Sequence, residues 1–144
     1  MIRFIQNGST FTVKQKKKIN SWIKAVCKHH NTKLGELAIV LCGDKEILDC
    51  NKTFLKHDYL TDIITFDYRE GKKINGELFL GVNTIKENAK TYKTKTQDEV
   101  KRVIIHGVLH IIGFGDKKKK EQKEMTKQED LALRMFKDMF HVKQ

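Results

Sequence analysis

The chain contains no proline, so no Pro-rich linker divides it, and its 144 residues suit one domain with a single core. Cysteine is scarce and odd in number. Cys27, Cys42 and Cys50 include no CxxC pair, which argues against a disulfide framework. Their expected role is that of small buried hydrophobes in a reducing compartment. Long hydrophobic runs are missing too: the longest, Leu37 to Cys42, falls far short of the roughly 20 residues a spanning helix needs. The opening residues, MIRFIQNGSTF, hold neither an apolar stretch of signal-peptide length nor a small-residue cleavage site. These absences predict one cytoplasmic domain over residues 1–144, with no membrane partner.

Acidic residues are outnumbered. Lys and Arg total 29 against 18 Asp and Glu, a formal net charge of +11. Such a field favours polyanion partners, because phosphate neutralisation releases condensed counterions. Charge alone also serves solubility, so it points to nucleic acid without specifying it.

Hydrophobic residues make up 39% of the chain, a globular share, and their spacing suggests the elements. Ile2 to Ile5 reads as a short strand. Ile19, Trp22, Ile23 and Val26 follow the i, i+3, i+4, i+7 pattern of an amphipathic helix over Val13 to His30. Trp22 on that stripe is expected in the core. Glu36 to Cys42 is nearly all apolar and of strand length, as for a strand buried on both faces. A helix from about Lys45 to Phe54 should point Ile47, Leu48 and Phe54 inward. Thr61 to Tyr68 and Glu77 to Val82 read as a hairpin around REGKKING. Thr84 to Tyr92 looks helical. Thr96-Gln97-Asp98-Glu99 has the form of a capping box opening the apolar helix KRVIIHGVLHII, which Gly113-Phe114-Gly115 ends. A last helix is expected over about Glu121 to Phe140. The predicted class is α+β: a small mixed sheet of about four strands packed with about five helices.

The apolar central helix carries His106 and His110, four residues apart, which places two imidazoles on one face within reach of a single ion. Buried imidazoles need polar partners to offset desolvation. Gly113 lets the chain leave the helix in a left-handed conformation, and Asp116 can return as a third ligand. Three protein ligands leave a fourth tetrahedral position for water, a catalytic arrangement rather than a structural one. The expected cofactor is one Zn2+ per chain.

HGVLHIIGFGD resembles the metzincin peptidase pattern H-E-x-x-H-x-x-G-x-x-H. Gly107 stands where those enzymes carry their general base, which disfavours a peptidase. Gly in mid-helix costs about 1 kcal/mol against Ala, so Gly107 is expected to permit a close approach of backbone or substrate.

A closer resemblance is to the YbeY family, whose signature reads H-G-x-L-H-L-x-G-Y-D-H. His106-Gly107, Leu109-His110, Gly113 and Phe114 match it in place, and Asp116 falls at the third His. Upstream, Asn51, Phe54 and Thr61-Asp62-Ile63-Ile64-Thr65-Phe66 are similar to that family's Asn-x-x-Tyr/Phe and Thr-Asp-Val-Leu-Ser-Phe, and Gly76-Glu77-Leu78 to its Gly-Asp-Ile. The resemblance implies a zinc-dependent, single-strand-specific endoribonuclease acting in rRNA maturation and ribosome assembly, with rRNA or the ribosome as partner. The family's Arg in the segment after Asn-x-x-Tyr/Phe falls at Leu55, and Lys56 or His57 are candidates to supply its charge. An RNA-binding assembly factor with structural zinc, or a hydrolase of another substrate, are the alternative readings.

Asp62 and Glu77 are the candidates for proton transfer, although a Thr-Asp at a strand entry also commonly caps a turn. Lys56, Lys117 and Lys118 are the candidates for phosphate contacts. His29, His30, His57 and His141 lack metal spacing and are expected at the surface.

Overall fold

The computed structural model describes residues 1–141. Its elements run β1 (Ile2–Asn7), α1 (Lys16–His29), β2 (Lys33–Cys42), α2 (Asp44–Cys50), a π-helical turn (Asn51–Leu55), β3 (Ile63–Asp67), β4 (Lys73–Gly81), α3 (Val82–Thr91), α4 (Thr96–Ile112) and α5 (Lys119–Phe140). The sheet order is β1-β2-β4-β3. β1 and β2 are parallel, β2 and β4 are parallel, and β3 closes the sheet antiparallel to β4. This is the expected mixed α+β architecture. No described helix is long and apolar enough to cross a membrane.

Strand alternation divides the core in two. Leu37, Ile39 and Leu41 of β2, with Ile74, Leu78 and Leu80 of β4, face a large cluster built with α1, α3, α4 and α5. Ala38, Val40 and Cys42 face the other way and meet Ile47, Cys50 and Ile64 under α2. Glu36 to Cys42 therefore belongs to a strand covered on both faces, as its apolar run suggested. All three cysteines are free and buried. Burial pushes the Cys27 and Cys42 thiols up to about 11, which leaves them protonated and inert.

Three local expectations are corrected. The first helix starts at Lys16 rather than Val13, because Gln15 adopts a left-handed conformation (φ 62) and Val13 packs into the core ahead of it. The helix α4 already includes Thr96, with Lys95 at its N-cap and no side-chain cap, so the expected capping box does not form. Glu99 is instead buried. Phe54 is 63% exposed rather than inward-facing. The π turn carries more residues per turn than an α-helix, which rotates Phe54 off the apolar face, and its ring meets Phe66 edge to face.

Trp22 is fully buried, as expected. Its indole Nε1 donates to the Ala132 carbonyl at 2.7 Å, and its ring meets Phe136 edge to face. This contact docks α5 on α1, and α5 in turn reaches the site described below. Trp22→Phe keeps much of the volume but loses the donor, so it should lower unfolding stability by about 1–3 kcal/mol. Urea titration with unchanged m-value checks this, and a cost near zero would show that α5 does not depend on the bond.

Candidate metal centre

The C-terminal half of α4 is buried on nearly every side, leaving His106 and His110 as half-buried polar groups one turn apart. Their rings lie 4.7 Å apart at 84°. Gly113 ends the helix with φ 131, and the Phe114 amide closes back onto the Leu109 carbonyl at 3.0 Å. Arg69 caps the same end, its Nη1 donating to the Ile112 carbonyl at 2.6 Å, where a cation also suits the helix dipole. The chain then turns back through Gly115. Glu121 secures that turn by accepting the Lys117 and Lys118 amides at 3.2 and 3.1 Å.

The turn delivers Asp116 to both imidazoles. Its Oδ2 lies 3.3 Å from His106 Nε2 and 3.2 Å from His110 Nε2. Donor atoms of the three residues all lie within 4.8 Å of one another. A tetrahedral zinc with bonds of about 2.0–2.2 Å sets its ligands roughly 3.3 Å apart, so the two measured separations fit such an ion. Two nitrogens and one carboxylate oxygen are also a donor set that zinc accepts.

Behind the cluster, Glu129 of α5 reaches His106. Its Oε2 accepts from His106 Nδ1 at 2.6 Å, and its Oε1 accepts from Arg102 Nη1 at 2.9 Å. Burial disfavours the charged His106 imidazole, but the Glu129 bond and charge outweigh it, with Asp116 and Asp62 adding, and raise its pKa above the usual range. Asp62, just before β3, lines the same cavity as His106, Arg102 and Glu129. Burial pushes its carboxyl above the ordinary value, against the opposing pull of His106.

The family description Endoribonuclease YbeY matches residues 2–137 of this chain. The chain belongs to the YbeY family. Among its relatives, the Endoribonuclease YbeY of Parabacteroides distasonis is 45% identical over 119 residues, covering 83% of this chain and 84% of that protein. The one from Phocaeicola vulgatus is 41% identical over 136 residues, covering 94% and 99%. A Thermotoga maritima protein solved in solution shares the fold, with a TM-score of 0.67 at 23% identity over 96% of this chain and 91% of that one.

The structure thus gathers His106, His110 and Asp116 as the spacing of the YbeY-like motif implies, and it adds Asp62 to the neighbouring cavity. It does not bring Glu77 there. Gly76 and Leu78 face α4, so Glu77 points to the opposite face of the sheet, where its carboxylate accepts from the Tyr68 hydroxyl at 2.9 Å. Lys117 and Lys118 are exposed directly after Asp116. Lys56 is exposed in a left-handed conformation (φ 56) at the end of the π turn. The loop beyond it is pinned by Asn51, which is buried and donates from Nδ2 to the Tyr59 carbonyl at 2.8 Å. His29, His57 and His141 are exposed, whereas His30 is half-buried with its ring edge to face on Phe114.

Sequence reasoning missed Glu129, Arg102 and Arg69. The first two sit at helical spacing from other charged residues and read as solvated faces. Only the packing of α5 on α4 shows that Glu129 is 8% exposed and paired.

Proposed function

We propose that this chain is a zinc-dependent endoribonuclease that cuts single-stranded RNA, acting in the cytoplasm in rRNA maturation and ribosome assembly. The observation that carries the reading is the convergence of His106, His110 and Asp116 on one point in a chain whose relatives are named endoribonucleases. His106 and His110 offer their Nε2 atoms and Asp116 its Oδ2. Zinc held by these three residues would supply Lewis acidity toward a phosphoryl oxygen. Asp62, which burial beside the site pushes toward the protonated form, is suited to exchange a proton with the substrate. Lys117 and Lys118, exposed directly after Asp116, and Lys56, exposed at the end of the π turn, are the candidates to hold phosphates.

The test is a cleavage assay on a single-stranded rRNA fragment and on the same sequence annealed to its complement. The zinc-loaded protein should cut the single strand and spare the duplex, a chelator should stop it, and added zinc should restore it. Cleavage that survives complete metal removal would reject the reading. A second reading keeps one observation in its favour: Leu55, where the family carries Arg, is 47% exposed and places no charge beside the loop. Zinc-holding protein that binds the RNA without cutting it would identify an assembly factor.

Asp62→Asn separates chemistry from stability. Loss of the proton-transfer group should reduce cleavage by roughly 10²–10⁴-fold. Because the folded carboxyl is raised, Asp62 contributes stability only at low pH and loses it as pH rises through the folded value. The variant and wild type should therefore match below the ordinary value of 3.8, and the variant should be the more stable at pH 7. Urea midpoints across pH 3–7 decide; a less stable variant at pH 7 would contradict the burial argument.

A further inference from the structure

We infer that Glu129, gripped by Arg102, is the positioning residue of the metal centre: it sets which nitrogen of His106 faces the metal and holds the ring there. The inference rests on the proposed metal site and adds to it two residues that the ligand motif does not contain.

A neutral imidazole carries one N–H. With Glu129 Oε2 at 2.6 Å from Nδ1, that proton resides on Nδ1 and the Nε2 lone pair is left to face His110 and Asp116. A carboxylate can do this only if it is itself fixed. Glu129 is 8% exposed, and its second oxygen is taken by Arg102 Nη1 at 2.9 Å. The same guanidinium donates through Nη2 to Asp130 Oδ1 at 2.8 Å, so both carboxylates of the Glu129-Asp130 pair are engaged by one planar group. Arg102 and His106 lie one turn apart on α4, and together they clasp Glu129 on α5.

Both partners of the clasp lie outside the ligand set. Neither Glu129 nor Arg102 belongs to the group of residues that converge on one point. A hydrogen bond of this kind fixes ring orientation and raises ligand basicity, and its loss typically weakens metal binding by about 10–100-fold. The alternative is a plain ion pair that ties α5 to α4. That role would lower the stability of the metal-free protein and leave its zinc affinity untouched.

The experiment measures the zinc dissociation constant of the full chain by competition with a chromophoric chelator, for wild type, Glu129→Gln and Arg102→Lys. Circular dichroism on the metal-free proteins confirms that each is folded at the assay temperature. Glu129→Gln should bind zinc about 10–100-fold more weakly, because the amide loses the charge and presents either oxygen or NH₂ to Nδ1. Arg102→Lys, which keeps the charge but not the two-pronged grip, should fall between it and wild type. In the metal-free wild type, long-range ¹⁵N NMR at high pH should show His106 protonated on Nδ1, a result that does not depend on how the variants fold. Equal zinc affinity in wild type and Glu129→Gln, or a His106 protonated on Nε2, would overturn the inference while leaving the metal site intact. Folded wild type that takes up no zinc would overturn both the metal reading and this one.

Discussion

His110→Ala should abolish RNA cleavage, by about a thousandfold or more, while leaving a folded protein. On the proposed reading His110 is one of three donors, so its loss leaves His106 and Asp116, too few to hold an ion against water. The imidazole is half-buried, bonded to Asp116 at 3.2 Å and set against the His106 ring, so the apolar core of α4 is not disturbed. A thermal readout separates loss of metal from loss of fold. Zinc at about a hundredfold over its dissociation constant should stabilise wild type by about 2.7 kcal/mol, or roughly 10 °C in melting temperature. In His110→Ala that rise should vanish, with the metal-free melting temperature close to wild type. Equal cleavage by the two proteins, purified identically, would assign the activity to a contaminant.

Gly107→Glu should prevent stable folding, at a cost on the order of 5 kcal/mol. In the peptidase pattern that the helix resembles, a Glu at this position works beside the metal. Here the position faces the sheet. A Cβ on Gly107 would lie 2.7 Å from Leu78 Cδ2 and 2.8 Å from Ile63 Cδ1. A whole carboxylate side chain adds about 1–3 kcal/mol of overpacking and leaves a buried charge with no partner, itself worth about 3–5 kcal/mol. The sum rivals the total stability of a small domain. Gly107→Ala is a different case. The clash is with the ends of two flexible side chains, and the gain of about 1 kcal/mol in helix propensity offsets it, so its net change should stay within about 1 kcal/mol. Soluble yield and thermal melting of the two variants check the pair. A well-folded Gly107→Glu protein would show that α4 does not rest on β3 and β4 at this point.

The close approach expected at Gly107 is therefore real, but its partner is the sheet rather than a substrate. That contact lays α4 on Ile63 and Leu78, and it brings Asp62, the neighbour of Ile63, to the cavity beside His106.

The three candidate metal donors were legible because they are local. His106 and His110 are one helical turn apart, and Asp116 follows a glycine turn only six residues on, so backbone geometry alone carries them to one point. The strand at Glu36 to Cys42, the hairpin of β3 and β4 and the buried Trp22 were legible for a similar reason: hydrophobic period and turn chemistry act over a few residues. What needed tertiary structure was every partnership across long separations. Glu129 lies 23 residues from His106 and Arg69 lies 43 from Ile112, and no short-range pattern distinguishes either from a solvated charge. Phe54 was misread because one π turn shifted its phase, and Glu99 because the helix already included the Thr96 expected to cap it. The sequence by itself determined the class of fold and which three side chains, His106, His110 and Asp116, come together. Which charges stand behind those donors, and which face of α4 meets the sheet, was decided only by packing, because desolvation is a property of the assembled core rather than of any segment.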